Sequence, residues 1–134
     1  MLSLVPLTAR ARAAAPDTML TAQTQRAHQR FIVGRSLERS HSPAAAIVAY
    51  RQAVALDPSI PEANYRMGLL FLSVQQDHAA AECFAQEVLY HPEHLDARRQ
   101  LGLAYARLGR GPAAVAQLEK LTLDDAGSAD DWAA

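Results

Sequence analysis

The chain has 134 residues, half of them hydrophobic, only 6% aromatic, and 28 of them alanine, which excludes a β-sandwich or barrel and favours helices packed closely through small side chains. One cysteine, Cys83, excludes an internal disulfide framework and a cysteine-based zinc site, and no apolar run approaches the roughly 20 residues that cross a bilayer. The net charge of −1 conceals a gradient: residues 1–56 carry seven Arg against Asp17 and Glu38, and residues 57–134 carry five Arg and one Lys against twelve acids. Nothing in that balance argues for nucleic acid.

Taken in chain order, residues 1–26 form an N-terminal arm. Its first sixteen residues carry Leu2, Leu4, Val5, Leu7, Arg10 and Arg12 and no acid, but lack the basic start and long apolar core of a secretory signal. A disordered leader, a partner-binding arm and a targeting segment are the readings open for it. Asp17 or Thr18 can cap a helix from about residue 18, continuous with the next helix or separate from it.

From residue 27 a 34-residue period organises the chain. Gly34, Gly68 and Gly102 hold one column, Ala46, Ala80 and Ala114 a second, and Tyr50, Phe84 and Leu118 a third. Pro58 and Pro92 hold a fourth, with Ala126 in the third place. Such a period marks a solenoid of stacked units. The units are 27–60, 61–94 and 95–128, each read as two helices, with spans predicted at 27–40, 43–56, 61–74, 77–90, 95–108 and 112–124. Ser42 with Pro43, Asp77, and Gly111 with Pro112 mark second-helix starts, and Gly109 a stop. A glycine within a helix costs about 1 kcal/mol relative to alanine, so three at one phase imply a close approach. The alanine column of the paired helix is expected to supply it. The aromatic or leucine four residues later is expected to fill the groove alongside.

The spacing, these columns and strings such as Ala53-Val54-Ala55-Leu56-Asp57-Pro58 resemble the tetratricopeptide repeat over about residues 27–126. The resemblance implies an all-α, right-handed superhelix of three antiparallel helix pairs, whose first helices build a concave face. It also implies a non-catalytic module that binds peptides or helices. Three departures stand out. Arg30, Asn64 and Arg98 replace the aromatic usual at the fourth place. Glu87 stands where unit one has Ala53, and burial alone would be costly for it, so pairing with Arg98 or Arg99, or exposure, is expected. No polar capping helix follows unit three, and the acidic tail 127–134 does not read as helical.

Transferred onto this chain, the family's groove positions include Phe31, Arg35, Glu38 and Arg39 in unit one, Tyr65, Leu69 and Leu72 in unit two, and Arg99, Leu103 and Arg107 in unit three. An apolar floor of Phe31, Tyr65, Leu69, Leu72 and Leu103 ringed by Arg35, Arg39, Arg99 and Arg107 suits an acidic, partly apolar protein or peptide. The alternative is that the apolar members pack between neighbouring helices and the arginines are solvated. Cochaperones of this family that grip an acidic chaperone C-terminus use a different set of cations and asparagines. The corresponding residues here are Phe31, Arg35, Arg66, Asp96 and Gln100, with an acid where a cation is needed, and that assignment fails.

Val115, Leu118 and Leu121 on the last helix have no following unit to cover them, and Trp132 sits in the acidic tail. Together they offer an end interface. Self-association, with the tail docking on an arginine-lined groove, is one reading. A solvated tail is the other. His91-Pro92-Glu93-His94 is the best metal-like cluster, but a proline and a turn interrupt it and nothing completes a site. No phosphate loop occurs and Cys83 has no nearby base, so no cofactor, metal or enzymatic activity is expected. The leading reading is a cytoplasmic adaptor or assembly factor. The others are a dedicated chaperone resembling the three-repeat type III secretion chaperones, and a structural subunit held in a larger assembly by its arm.

Overall fold

The computed structural model describes residues 7–130, with side chains placed over 19–123. Trp132 and the first six residues of the arm lie outside the described part. Six helices follow one another: α1 (Leu7–Arg39), α2 (Pro43–Leu56), α3 (Ala63–Ser73), α4 (Asp77–Tyr90), α5 (Leu95–Arg107) and α6 (Gly111–Asp130). Each packs on the next in sequence, so the described residues form a stack of three helix pairs held by nearest-neighbour contacts.

The helix pairs follow the period, and the four inner helices lie within two residues of their predicted spans. The two ends differ from expectation. α1 is a single helix of 33 residues, about 50 Å long at 1.5 Å per residue, running through Asp17 and Thr18 rather than starting at them. The run 9–15, rich in Ala and Arg, has high helix propensity, and the helix continues through Pro16 although that residue has no N–H to donate. α6 continues past the predicted end at 124 to Asp130, through Gly127. No proline or left-handed residue interrupts it before that point. Asp77 is the first residue of α4 rather than its cap, which is Gln76. There its carboxylate faces the positive end of the helix dipole.

The chain reverses within each pair by one recurring device. His41, Gln75 and Gly109, spaced by 34, have φ of 57°, 60° and 72°. Each closes the preceding helix with two backbone bonds, as in Gly109 N–H to Ala106 O at 3.1 Å and Arg110 N–H to Tyr105 O at 2.8 Å. Glycine takes that conformation without strain, whereas His41 and Gln75 hold it at a cost.

The core lies between the helices of each pair and between neighbouring pairs. Ala27, Ala46, Tyr50, Ala53, Ile60, Ala63 and Met67 form one cluster, and Ala80, Ala81, Phe84, Leu101 and Ala104 a second. Phe71 packs against both and joins them. The glycine column has a sharper cause than the one expected. A Cβ on Gly34 would lie 2.6 Å from the Tyr50 ring, and one on Gly68 2.5 Å from the Phe84 ring. On Gly102 it would lie 2.9 Å from the Leu118 side chain, with Ala114 O further off at 3.5 Å. The large residue of the third column therefore sits on the glycine itself, and the alanine one turn earlier is not the closest contact. Full burial of each ring stabilises the pair by about 1.5–3 kcal/mol.

Glu87 also departs from expectation. It is 1% exposed and pairs with neither Arg98 nor Arg99. Its Oε1 instead accepts the backbone N–H of Glu62 at 3.0 Å. Glu62 caps α3 with φ of 68°, so its N–H has no helical partner and takes the carboxylate of the neighbouring helix. Oε2 of Glu87 has no hydrogen-bond partner among the described residues.

Candidate functional site

In units one and two the fifth residue of the unit rests on the large residue of its second helix. Phe31 lies 5.5 Å from Tyr50 and Tyr65 lies 5.9 Å from Phe84, ring centre to ring centre. Tyr65 also meets His94 at 4.5 Å. Phe31, Tyr65, Leu69 and Leu72 are half-buried, packed against the two core clusters, while Leu103 is exposed. Four of the five apolar members of the expected groove therefore pack against the core and present only part of each side chain outward.

The four expected arginines divide. Arg99 donates to Asp96 one turn away, at 2.8 Å, and Arg107 lies 3.8 Å from Asp77. Arg35 and Arg39 have no ion-pair partner among the described residues, and they line a depression of about 240 Å³ with Glu38 and Arg66. Three guanidiniums thus face one carboxylate. That carboxylate is itself committed. Glu38 Oε2 accepts the Tyr50 hydroxyl and Arg66 Nη1, the latter at 3.1 Å. Arg66 Nε lies 3.4 Å from Glu62 Oε2. Burial, then the neighbouring Glu38, hold the Tyr50 hydroxyl protonated well above the usual phenol range. The network joins unit one to unit two and leaves Arg35 and Arg39 with an uncompensated positive field. Sequence reasoning placed Arg66 among the clamp positions and overlooked it as a structural tie. Its i,i+4 spacing from Glu62 is the signal that was available.

At the far end of the stack Val115 is 52% exposed and Leu123 71%, whereas Leu118 and Leu121 are half-buried. At the near end Gln23 donates to Leu56 O, the last residue of α2, so α1 residues 7–22 extend past the end of their paired helix. Met19 and Leu20 on that extension are exposed.

The turn histidines are engaged locally. His91 Nε2 lies 2.8 Å from Ser59 O, and His94 Nδ1 accepts Ala97 N–H as the cap of α5. Among the described residues no group of three or more His, Cys, Asp or Glu could hold a metal ion, and no helix is long and apolar enough to cross a membrane. Burial, with Glu82 adding to it, pushes the Cys83 thiol up to about 11, so it is protonated at neutral pH.

Two family models match the chain, a TPR repeat over residues 44–75 and a tetratricopeptide repeat over residues 78–131, together more than half its length. Among solved structures, a crystal structure of MamA superposes with a TM-score of 0.71 at 27% identity, covering 80% of this chain and 63% of that one. A second MamA structure does so with the same TM-score and identity over 58% of its chain. The second TPR of Spaghetti (RPAP3), bound to the HSP90 peptide SRMEEVD, superposes with a TM-score of 0.68 at 22% identity over 77% of this chain and 97% of that one. The chain thus spans less than two thirds of each of these two MamA chains. No curated protein matches it. The repeat-model matches, the 34-residue columns and the stacked helix pairs agree, and the chain belongs to the tetratricopeptide repeat family.

Proposed function

We propose that this member of a family of protein-interaction folds is a non-catalytic adaptor or assembly factor. It holds an acidic, partly apolar segment of a partner across the first helices of units one and two. The observation that carries this reading is the pair Arg35 and Arg39, without an ion-pair partner among the described residues, in one depression with Glu38 and Arg66 and one helical turn or two beyond the half-buried Phe31. A partner carboxylate replaces water at two guanidiniums that have no ion-pair partner among the described residues, and charge-assisted bonds of this kind orient a ligand well. Arg99 and Arg107, already held by Asp96 and Asp77, contribute less than the sequence suggests. The residues at the cochaperone clamp positions do not support a chaperone C-terminus as the ligand, since Arg66 is tied to Glu38 and Asp96 to Arg99.

The test is affinity capture from the native source with the intact chain, with Arg35→Glu/Arg39→Glu, and with Arg99→Glu. The partner is expected to be lost with the double variant and kept by Arg99→Glu. A partner retained equally by all three counts against this groove.

A second reading, assembly through the chain ends, is favoured by the exposed Met19 and Leu20 on the overhang of α1 and by Val115 and Leu123 on α6. It fits a structural subunit or a self-associating one, the basic entry of one copy meeting the acidic exit of the next. Removing residues 1–22 and measuring the number of copies per particle in solution tests it: an unchanged oligomeric state dismisses self-association through the arm. A dedicated chaperone shares the groove and is distinguished by a hydrophobic client.

A further inference from the structure

Units two and three differ at one interior place. In unit three Arg98, 7% exposed, lies between the helices of its pair, donating from Nη2 to Pro92 O at 2.9 Å and from Nη1 to Gln117 Oε1 at 3.2 Å. The corresponding residues of unit two, 34 positions earlier, are Asn64, Pro58 and Cys83. The turns agree, since Ile60 N–H bonds Asp57 O as His94 N–H bonds His91 O. The side chains do not, because both long partners have become short ones. A cleft of about 360 Å³ opens there, lined among others by Asn64, Cys83, Phe71, Glu82, Gln86 and Arg51. That volume lies within the roughly 300–1,000 Å³ range of ligand pockets. Asn64 is only 5% exposed, yet its amide atoms are not among the fully enclosed atoms that lack a partner, so what remains open of the residue faces this cleft. A ligand group entering the cleft can exchange water at that amide for a direct hydrogen bond.

We infer that this cleft is a binding slot for an arginine side chain of a partner protein, entering between α2 and α4 and taking in unit two the place that Arg98 takes in unit three. The Asn64 and Gln86 carbonyl groups accept from the planar guanidinium fork. Glu82 at the rim neutralises it, and Phe71 supplies an aromatic wall on which such a group packs well. A lysine ammonium lacks the fork and is more strongly hydrated, so it fits less well. Arg51 on the opposite wall opposes the ligand's charge and keeps the affinity modest. The slot shares no residue with the Arg35 and Arg39 groove, so either can fail without the other.

The probe is N-acetyl-arginine amide, titrated into the intact protein and followed by amide NMR, with N-acetyl-lysine amide as the comparison. Saturable shifts are expected at the Asn64 side chain and at the Glu82 and Cys83 backbone, with binding at least about tenfold weaker for lysine, a difference of ~1.4 kcal/mol. Asn64→Arg, which fills the slot from within, is expected to abolish the shifts and raise the melting temperature. Should that variant not fold, Glu82→Gln reads the same site and is expected to weaken arginine binding about threefold or more, within the range of a partly screened ion pair. Absence of saturable shifts, equal response to lysine, or an unchanged response in the variant that folds overturns the proposal.

Discussion

The backbone N–H of Glu62 donates to Oε1 of the buried Glu87 at 3.0 Å, so a carboxylate on α4 holds the residue that starts α3. Only one of the two carboxylate oxygens is used. Glu87→Gln keeps a carbonyl acceptor at the same place, and its stability is expected within about 1 kcal/mol of the parent. Glu87→Ala leaves the N–H unmet and a void beside it, at an expected cost of about 2–3 kcal/mol. Urea unfolding separates the two, and equal losses would show that the bond to Glu62 contributes nothing.

The glycine column is expected to respond in rank order. At Gly34 and Gly68 an added methyl meets a fully buried ring. Overpacking of that kind costs about 1–3 kcal/mol, against a gain of about 1 kcal/mol in helix propensity. Gly34→Ala and Gly68→Ala are therefore expected to destabilise. Gly102→Ala is expected to be mildest, since Leu118 is half-buried and can move. Thermal melting of the three variants checks the order.

The left-handed residues give the opposite sign. Gln75→Gly and His41→Gly relieve a non-glycine residue at positive φ and are each expected to stabilise by about 0.5–1 kcal/mol, after the entropy that glycine adds to the unfolded chain. Gly109→Ala is expected to destabilise by about 1 kcal/mol at the same place in unit three. Unfolding midpoints that do not split this way would refute the common role of the three residues.

The link between units one and two runs through Glu38, which accepts from both Tyr50 and Arg66. Tyr50→Phe is expected to cost about 1–2 kcal/mol and Arg66→Met less, being at a partly exposed pair. The double variant is expected to depart from the sum by about 0.5 kcal/mol or more, because the two donors share one oxygen. Additive losses would mean two separate contacts.

Cys83 sets a pH dependence. Its folded thiol ionises near 11 instead of the ordinary 9, from burial first and then from Glu82. A raised folded value contributes stability that is fully present below pH 9 and is lost as pH rises from 9 to 11. In the parent, this part of the stability is expected to fall across that window, and Cys83→Ala is expected to remove it. Alkylation by iodoacetamide is expected to be slow at pH 8, and a pH–rate midpoint at or below 9 contradicts the burial argument.

The pairing of helices was legible because its cause recurs at a fixed interval. A ring that must lie on a glycine leaves Gly34 with Tyr50 and Gly68 with Phe84, and the same distance apart in sequence each time. The turn device recurs too, yet only Gly109 announced it, since His41 and Gln75 accept the strain without the residue that would reveal it. The ends were misread because helix starts and stops were sought in side-chain signals, and α1 and α6 run through the breakers present there, Pro16 and Gly127.

The candidate site divides on the same line. Sequence by itself determined the all-α repeat, its register, and which side chains share a helix face, because helical periodicity is a local property of the chain. Only the tertiary structure decided that Arg107 meets Asp77 while Arg35 and Arg39 remain without an acid among the described residues. It alone assigned Glu87 to a backbone N–H and left Asn64 facing a cleft that Arg98 fills one unit later. Those outcomes depend on distances between residues far apart in sequence and on side-chain length within a shared interior space, and neither quantity has a period.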